Sequence, residues 1–180
     1  MIGLIIVVLC LIVFLLIYVI SISNGLNRAL VKIDEASSGI DVSLTKRYDV
    51  LTKMIDVVKG YAKYEQETVF KTVEIRQNMS IQEKNEASQI MDENTKKIFA
   101  LAENYPDLKA SENYKTLQQA IADTEEHLQA SRRLYNANVS AFNQKIVTFP
   151  ISIIADSKGL TKKDFFSAEE TKREDVKIDL

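Results

Sequence analysis

The chain begins with a continuous apolar run and then changes to a regular alternation of apolar and polar positions. Residues 2–22 contain no charged side chain, and most of them are aliphatic. An α-helix rises about 1.5 Å per residue, so about 20 such residues cross the ~30 Å hydrocarbon core of a bilayer. The run predicts a transmembrane helix, with residues 1–23 as a membrane anchor and residues 2–22 in contact with the lipid bilayer.

A cleaved signal peptide is the alternative interpretation of this run. Ser21 and Ser23 form a small-x-small pattern, but no basic side chain precedes the run, and the run is longer than a usual signal sequence. These features favour an uncleaved anchor. Cys10 could also be an acylated lipoprotein cysteine, but the large Leu9 before it favours a thiol buried in lipid.

After the anchor, apolar or small residues recur every three or four positions, which indicates the a/d seam of a helical bundle. Arg47 and Met54 occupy slots of the same seam, and Gly60 is the first strong stop signal. We expect the anchor helix to continue without a break to a point near Gly60. The seam residues are Leu26, Leu30, Ile33, Ser37, Ile40, Leu44, Leu51 and Val58.

Three further amphipathic segments follow. Their patterns predict helices over residues 65–78 and 82–104, and a last long helix that begins after Ser111 and ends before Pro150. Pro106 ends the third helix because proline lacks a backbone donor and restricts the residue before it. The inward residues of the last helix are Tyr114, Leu117, Ile121, Thr124, Leu128, Ser131, Tyr135, Val139, Phe142, Ile146 and Phe149.

Helix lengths predict the topology. With a turn near Gly60, the first and last bundle helices are each roughly 55 Å long and can pair along their whole length. The predicted fold is all-α: an N-terminal transmembrane helix continues into an antiparallel four-helix up-and-down bundle over residues 24–150. Antiparallel pairing requires facing residue numbers to add to about 174. This register places Arg47 near Glu125, and Asp41 near Arg132.

Residues 151–180 form a C-terminal segment that we expect to pack on the bundle or on the membrane surface. Lys158, Lys162 and Lys163 stand near Phe165 and Phe166, a combination that could contact anionic lipid in the interface. Packing against the end of the bundle is the favoured alternative.

Composition and charge narrow the function classes. With 180 residues the chain is long enough for one ordinary domain, and its formal net charge is −2 with both signs mixed along it. No broad basic surface is predicted, so no nucleic-acid partner is expected. Arg28 and Lys32 follow the anchor closely, and the positive-inside rule therefore predicts that the bulk of the chain is cytoplasmic.

Three separated blocks of sequence are distinctive. Residues 40–62 read IDVSLTKRYDVLTKMIDVVKGYA, residues 105–117 begin YPDLKASEN, and residues 135–150 run from YNA to FP. Together they resemble the LemA family of bacterial membrane-anchored helical proteins. The end of the chain, residues 165–180, is also similar. One departure is Thr52, which stands where that family is expected to have a proline. The resemblance implies a small helical bundle on a membrane anchor and does not imply a reaction.

The sequence offers no constellation for catalysis, for a cofactor or for a metal ion. His127 is the one histidine, and no second histidine or soluble thiol accompanies it, so we interpret it as a helix-surface residue. Asp92 and Glu93 are adjacent on a helix and diverge, which predicts two solvated carboxylates. Phosphate-binding loops, nucleophile elbows and zinc-ligand spacings do not occur.

Two short motifs keep a functional interpretation. In the first, Arg47, Tyr48 and Asp49, the arginine occupies a seam slot that packing alone would give to leucine. It predicts either a polar lock that specifies helix register or a contact with a partner. In the second, Tyr105 to Asp107, turn chemistry explains the proline and Asp107, while Tyr105 is expected to pack. The candidate interaction residues are therefore Arg47, Tyr48, Asp49, Tyr105 and Asp107.

These observations predict a single-pass membrane protein that acts by binding, as a scaffold or adaptor for an unidentified protein partner or for self-association. Exposed Val42, Val50 and Val57 on the first helix would support such binding. A membrane-tethered enzyme is the alternative, and it would need clustered polar groups between helices. A self-assembling structural protein is the third hypothesis.

Overall fold

The computed structural model describes residues 1–61, 70–71, 73, 75–76 and 79–166 of the chain. Every regular element in this part is a helix: α1 (Ile2–Tyr61), α2 (Ile81–Glu103), α3 (Pro106–Ala110), α4 (Glu112–Val147) and α5 (Ile151–Ser157). The all-α prediction with an N-terminal membrane helix is confirmed. The chain divides into two compact units.

Unit 1 contains residues 1–36 and 134–165. The first 21 residues are exposed along their whole length, and they include a segment apolar enough to cross a bilayer. This segment is a candidate membrane anchor. Beyond the anchor, α1 and α4 run antiparallel. The side-chain amide of Asn138 on α4 donates to the backbone oxygen of Lys32 on α1 at 3.0 Å. Further along the chain, Lys158 follows α5 and donates to the earlier residue Asn27 at 3.2 Å.

The C-terminal segment packs on α4 within unit 1. Asn143 makes two hydrogen bonds with the backbone of Lys163, one from its amide nitrogen at 2.9 Å and one to its carbonyl oxygen at 2.8 Å. The hydroxyl of Tyr135 donates to the backbone oxygen of Asp164 at 3.1 Å. These bonds give the extended backbone after α5 the partners that a helix would otherwise supply.

Unit 2, as far as it is described, contains residues 37–61, the described positions between 70 and 133, and Phe166. α1 and α2 are parallel here, and α4 is antiparallel to both. The register prediction is confirmed: the hydroxyls of Ser43 and Ser131 are 3.2 Å apart, and their numbers add to 174. A Cβ at Gly39 would lie 3.7 Å from the Ser131 hydroxyl, which is an ordinary van der Waals contact, so the helices approach here without requiring glycine.

The predicted seams match the buried residues closely. The seam residues of α1 are buried except Leu30 and Ser37, which are half-buried, and Arg47 and Met54 in the intervening slots are buried too. On α4 the predicted inward residues from Tyr114 to Ile146 are buried except Leu117 and Ser131, which are half-buried. Phe149 is an exception, since it is 77% exposed beyond the end of α4. Because α4 ends at Val147, the helical period does not determine where the side chain of Phe149 points.

The helix ends follow local capping chemistry. α1 is described as far as Tyr61, and the residues that follow the predicted stop at Gly60 and Tyr61 lie outside the described part of the chain. α2 begins with a capping box, in which Ser80 accepts from the Glu83 amide and Glu83 accepts from the Ser80 amide. Ser111 caps α4 by accepting from the Tyr114 amide at 3.3 Å, which confirms its predicted role.

The prediction of a second bundle helix over residues 65–78 is wrong at the positions the structure describes, and its remaining positions lie outside them. Phe70, Lys71, Val73, Ile75 and Arg76 are not helical. The physical reason is visible at Lys71, whose backbone N–H and C=O both pair with the side-chain amide of Asn94, at 3.0 and 2.8 Å. Asn94 is buried on α2 and replaces the partners that a helix would have provided.

Candidate functional site

The strongest candidate site in unit 2 centres on Arg47, which projects from the α1 seam into the space between α2 and α4. Its side chain is 4% exposed and forms ion pairs with Asp92 of α2 and Glu125 of α4. The Nη1–Oε2 distance to Glu125 is 3.2 Å, and Nη1 also donates to the Ser88 hydroxyl at 3.5 Å. One arginine on α1 therefore connects to both of the other long helices.

Three polar residues of α2 face the other helices at intervals of four positions. We call Lys84, Ser88 and Asp92 the α2 polar stripe. Lys84 is buried, and its ammonium group contacts the Asp41 carboxylate at 2.8 Å and the Ser37 hydroxyl at 2.7 Å. Because residues four apart stand on one helix face, the stripe presents a cation, a hydroxyl and a carboxylate in sequence.

Arg132 of α4 completes this network. It donates to the Ser88 hydroxyl, and its guanidinium group lies 4.6 Å from the ring centre of Phe166. A guanidinium over an aromatic face is stabilised by the ring quadrupole. Asp41, which the register predicts to lie near Arg132, forms its ion pair with Lys84 of α2.

A cleft of about 400 Å³ opens beside Arg47 between α2 and α4. Its walls include the apolar side chains of Phe99 and Ile121, and its charged lining includes Asp92 and Glu125. Within the described part of the chain, Arg47 Nε and Glu125 Oε2 are buried and make no hydrogen bond. The ion pair between these residues therefore satisfies their charges but not all of their hydrogen-bonding capacity.

The five residues singled out from the sequence do not converge in one place. Arg47 lies at the centre of the polar network, while Tyr48 and Asp49 are exposed on the same helix. Tyr105 is half-buried and precedes α3, and Asp107 is exposed in the first turn of that helix. Of these positions, Arg47 is the one that lines the cleft.

Sequence reasoning missed the α2 polar stripe. Asp92 was expected to be solvated, but its side chain is 17% exposed and pairs with Arg47, which corrects that interpretation. Glu93 does face solvent, and its ion pair with Lys71 lowers the pKa of its carboxyl. The four-residue spacing of the stripe beside the buried Ala87 and Met91 was the signal that could have identified it.

The described residues contain no group of three side chains suited to hold a metal ion. His127 is exposed on α4, as its isolation in the sequence predicted. The lining of the cleft offers ion pairing and hydrogen bonding through Arg47, Asp92 and Glu125, and apolar contact through Phe99 and Ile121.

Comparisons with known proteins agree on one family. The LemA family model matches residues 36–180 of the chain. Protein LemA of Metamycoplasma hominis is 34% identical over 158 residues, which covers 85% of this chain and 72% of that protein. The Arg47 network lies inside the matched region.

Weaker similarity extends to magnetosome proteins. Magnetosome protein MamQ of Magnetospirillum gryphiswaldense is 24% identical over 70 residues, and Magnetosome protein MamQ 1 of Paramagnetospirillum magneticum is 26% identical over 70 residues. Each match covers 39% of this chain and 26% of the magnetosome protein.

Proposed function

The chain belongs to the LemA family, and on that premise we propose that it is a membrane-anchored scaffold whose unit 2 binds a partner protein. The candidate anchor at residues 2–22 would hold the chain at a bilayer, and the helices would present a binding surface. The cleft beside Arg47 is the docking point in this proposal.

The observation that carries the proposal is the combination of apolar and charged side chains that line the cleft. Phe99 and Ile121 stand beside Asp92, Lys96 and Glu125. Lys96 is exposed, and the side chain of Glu125 is 33% exposed, so both charges are within reach of a partner. A partner segment would place an apolar side chain against Phe99 and Ile121 while its polar groups pair with Lys96 and Glu125.

The cleft would hold the anchor of an interface and not the whole interface. Stable protein interfaces bury about 800 Å² per partner, and a few central residues contribute most of the binding energy. Further contact area is available on unit 2, where Val42, Tyr48 and Tyr61 of α1 are 55%, 36% and 45% exposed. Val50 and Val57, also named as candidate contacts, are half-buried.

Site-specific photocrosslinking tests the docking point. Gln118 lines the cleft, and the adjacent exposed Gln119 does not, so p-benzoylphenylalanine at these two positions forms a matched pair. We expect an adduct with a second protein from position 118 in cells, and none from position 119. Adding Ala122→Phe, which fills the cleft, should abolish the adduct.

Mass spectrometry of the adduct separates the outcomes. Peptides of another protein support the scaffold role, and peptides of this chain support self-assembly instead. No adduct from position 118, or equal adducts from both positions, would contradict docking in the cleft.

A membrane-tethered enzyme is the second candidate, because the cleft gathers the clustered charges that such a site needs: Arg47, Asp92, Lys96 and Glu125. A thermal-shift screen of metabolites on the full-length protein distinguishes it. A small molecule that stabilises the unmodified chain but not Ala122→Phe, without any protein adduct, would favour the enzyme.

We also propose that the bulk of the chain is cytoplasmic, since Arg28 and Lys32 follow the anchor. The test removes Cys10 by Cys10→Ser and introduces one exposed cysteine by Lys115→Cys. A membrane-impermeant maleimide should label this cysteine after lysis and not in intact cells. Labelling of intact cells would place unit 2 outside.

A further inference from the structure

A second pocket, of about 280 Å³, lies between α1 and α4 in unit 1. Three cationic side chains line it: Arg28 and Lys32 of α1, and Lys145 of α4. Arg28 and Lys32 share a helix face because they are four positions apart. Lys145 reaches the same space from the antiparallel helix. Three cationic residues therefore line one small volume.

Small residues create the space. Gly25 and Ala29 of α1 and Ala141 of α4 form the remaining surface together with Asn138. A Cβ added at Gly25 would meet no atom within 4 Å, which shows that the space beside this glycine is open. The amide of Asn138 donates to the backbone of Lys32, so the two walls are bonded together at one edge.

The cations of the pocket form no ion pair within the described part of the chain. No carboxylate there lies within ion-pairing distance, 4.0 Å, of Arg28, Lys32 or Lys145. A fourth cation, Lys158, is close by, with its ammonium group 3.2 Å from the side chain of Asn27. A concave surface lined by one sign of charge concentrates counter-ions, so the chemistry of the pocket favours an anion.

The position of the pocket along α1 indicates which anion. Gly25 to Lys32 lie about 4.5 to 15 Å beyond Ile22, the end of the apolar run, at 1.5 Å per residue. The headgroup layer of a bilayer extends about 5 to 8 Å beyond the hydrocarbon core on each side. At about 9 Å beyond Ile22, Arg28 stands at the outer edge of this layer when the anchor spans the bilayer. Its side chain leans back towards the headgroups, because side chains on a helix tilt towards the helix N-terminus.

Exposed apolar side chains mark the same level of unit 1. Val147, Phe149 and Ile153 are 58%, 77% and 61% exposed at the end of α4 and in α5. The bond from Lys158 to Asn27 holds the end of α5 five residues past Ile22. Apolar side chains at this depth gain free energy by entering the bilayer interface.

From the cationic lining of the pocket and from its level near the bilayer surface, we infer that the pocket of Arg28, Lys32 and Lys145 binds the phosphate of an anionic phospholipid in the adjacent leaflet. Arginine and lysine donate charge-assisted hydrogen bonds to phosphate oxygens, and Val147, Phe149 and Ile153 rest against the lipid surface. This inference needs the anchor to span a bilayer and does not depend on the protein partner proposed above.

Spin-labelled lipids in nanodiscs test the inference on the full-length protein. Electron paramagnetic resonance measures the fraction of motionally restricted phosphatidylglycerol and phosphatidylcholine. We expect the unmodified chain to favour phosphatidylglycerol by about fivefold, and Arg28→Gln/Lys32→Gln/Lys145→Gln to fall within about twofold of no preference.

Two control variants separate a pocket from general charge. Lys53→Gln/Lys115→Gln/Arg133→Gln removes the same charge from exposed positions of unit 2 and should keep the preference. Gly25→Leu fills the pocket without changing charge and should remove it, whereas Gly25→Ala should retain most of it. Circular dichroism verifies that each variant is helical.

Three outcomes would overturn the inference: no preference in the unmodified chain, a preference that survives the triple substitution in the pocket, or a preference unaffected by Gly25→Leu. Inorganic phosphate separates the two sources of the ligand group. If it displaces the lipid far better than chloride does at equal ionic strength, the pocket is a site for soluble phosphate and the lipid assignment is wrong.

Discussion

Replacing Arg47 with methionine should destabilise the protein strongly, although methionine is apolar and suits a seam position. The arginine side chain is 4% exposed, and its two ion-pair partners, Asp92 and Glu125, have side chains that are 17% and 33% exposed. Without the guanidinium group, two carboxylates would face each other in a partly dry space. Removing one partner of a buried ion pair costs about 3–5 kcal/mol.

The lower end of that range is expected, because the Glu125 carboxylate retains access to water. A loss of about 3 kcal/mol corresponds to a decrease of roughly 6–12 °C in Tm for a chain of this size. Thermal unfolding of the full-length protein in a mild detergent, followed by far-ultraviolet circular dichroism, measures this decrease. The matched control is Lys46→Met at the exposed neighbouring position, which should change Tm little.

A compensated variant tests the electrostatic explanation. Arg47→Met/Asp92→Leu/Glu125→Gln removes the isolated charges together with the arginine, and such apolar replacements of buried ion pairs are often neutral or stabilising. We expect this variant to recover most of the lost stability. If Arg47→Met alone stays within about 1 kcal/mol of the unmodified chain, the network does not contribute to stability as argued. If the triple variant is worse than Arg47→Met, packing explains the loss.

Three further predictions concern stability. Phe142→Ala empties a fully buried position and should cost about 3–5 kcal/mol in thermal unfolding, whereas Leu134→Ala, at a 57% exposed position, should cost little. Glu83→Gln should lower Tm at pH 7, because hydrogen bonds from the Ser80 backbone and side chain lower the Glu83 pKa below 4.5. The stability that the ionised Glu83 carboxylate contributes is present above pH 4.5 and is lost as the pH falls. The Tm values of the unmodified chain and of Glu83→Gln should therefore converge in acid. Tyr135→Phe should lower the free energy of unfolding by about 1 kcal/mol below pH 10. Burial and the charges of Asp164 and Asp34 raise the Tyr135 pKa, so the contribution of its hydroxyl group to stability is lost as that group ionises. The stability difference between Tyr135→Phe and the unmodified chain should therefore narrow in titrations above pH 10. Equal Tm differences across the pH range would contradict the last two.

The sequence by itself determined the long helices and their pairing. Spacing of apolar residues by three and four depends on helix geometry alone, so it identified the buried faces of α1 and α4. Matching the helix ends was enough to bring Ser43 opposite Ser131 and Arg47 opposite Glu125. Ser111 was identifiable for the same reason, since a cap depends on the few residues around it.

Only the tertiary structure decided the polar partners and the course of the chain around Lys71. The environment of Asp92 depends on an arginine 45 positions earlier, and the backbone of Lys71 depends on an amide 23 positions later. The cleft and the cationic pocket likewise arise where side chains from two helices meet. Periodicity reports which face of a helix is buried, but a polar group's partner is fixed only when separate helices approach within hydrogen-bond distance.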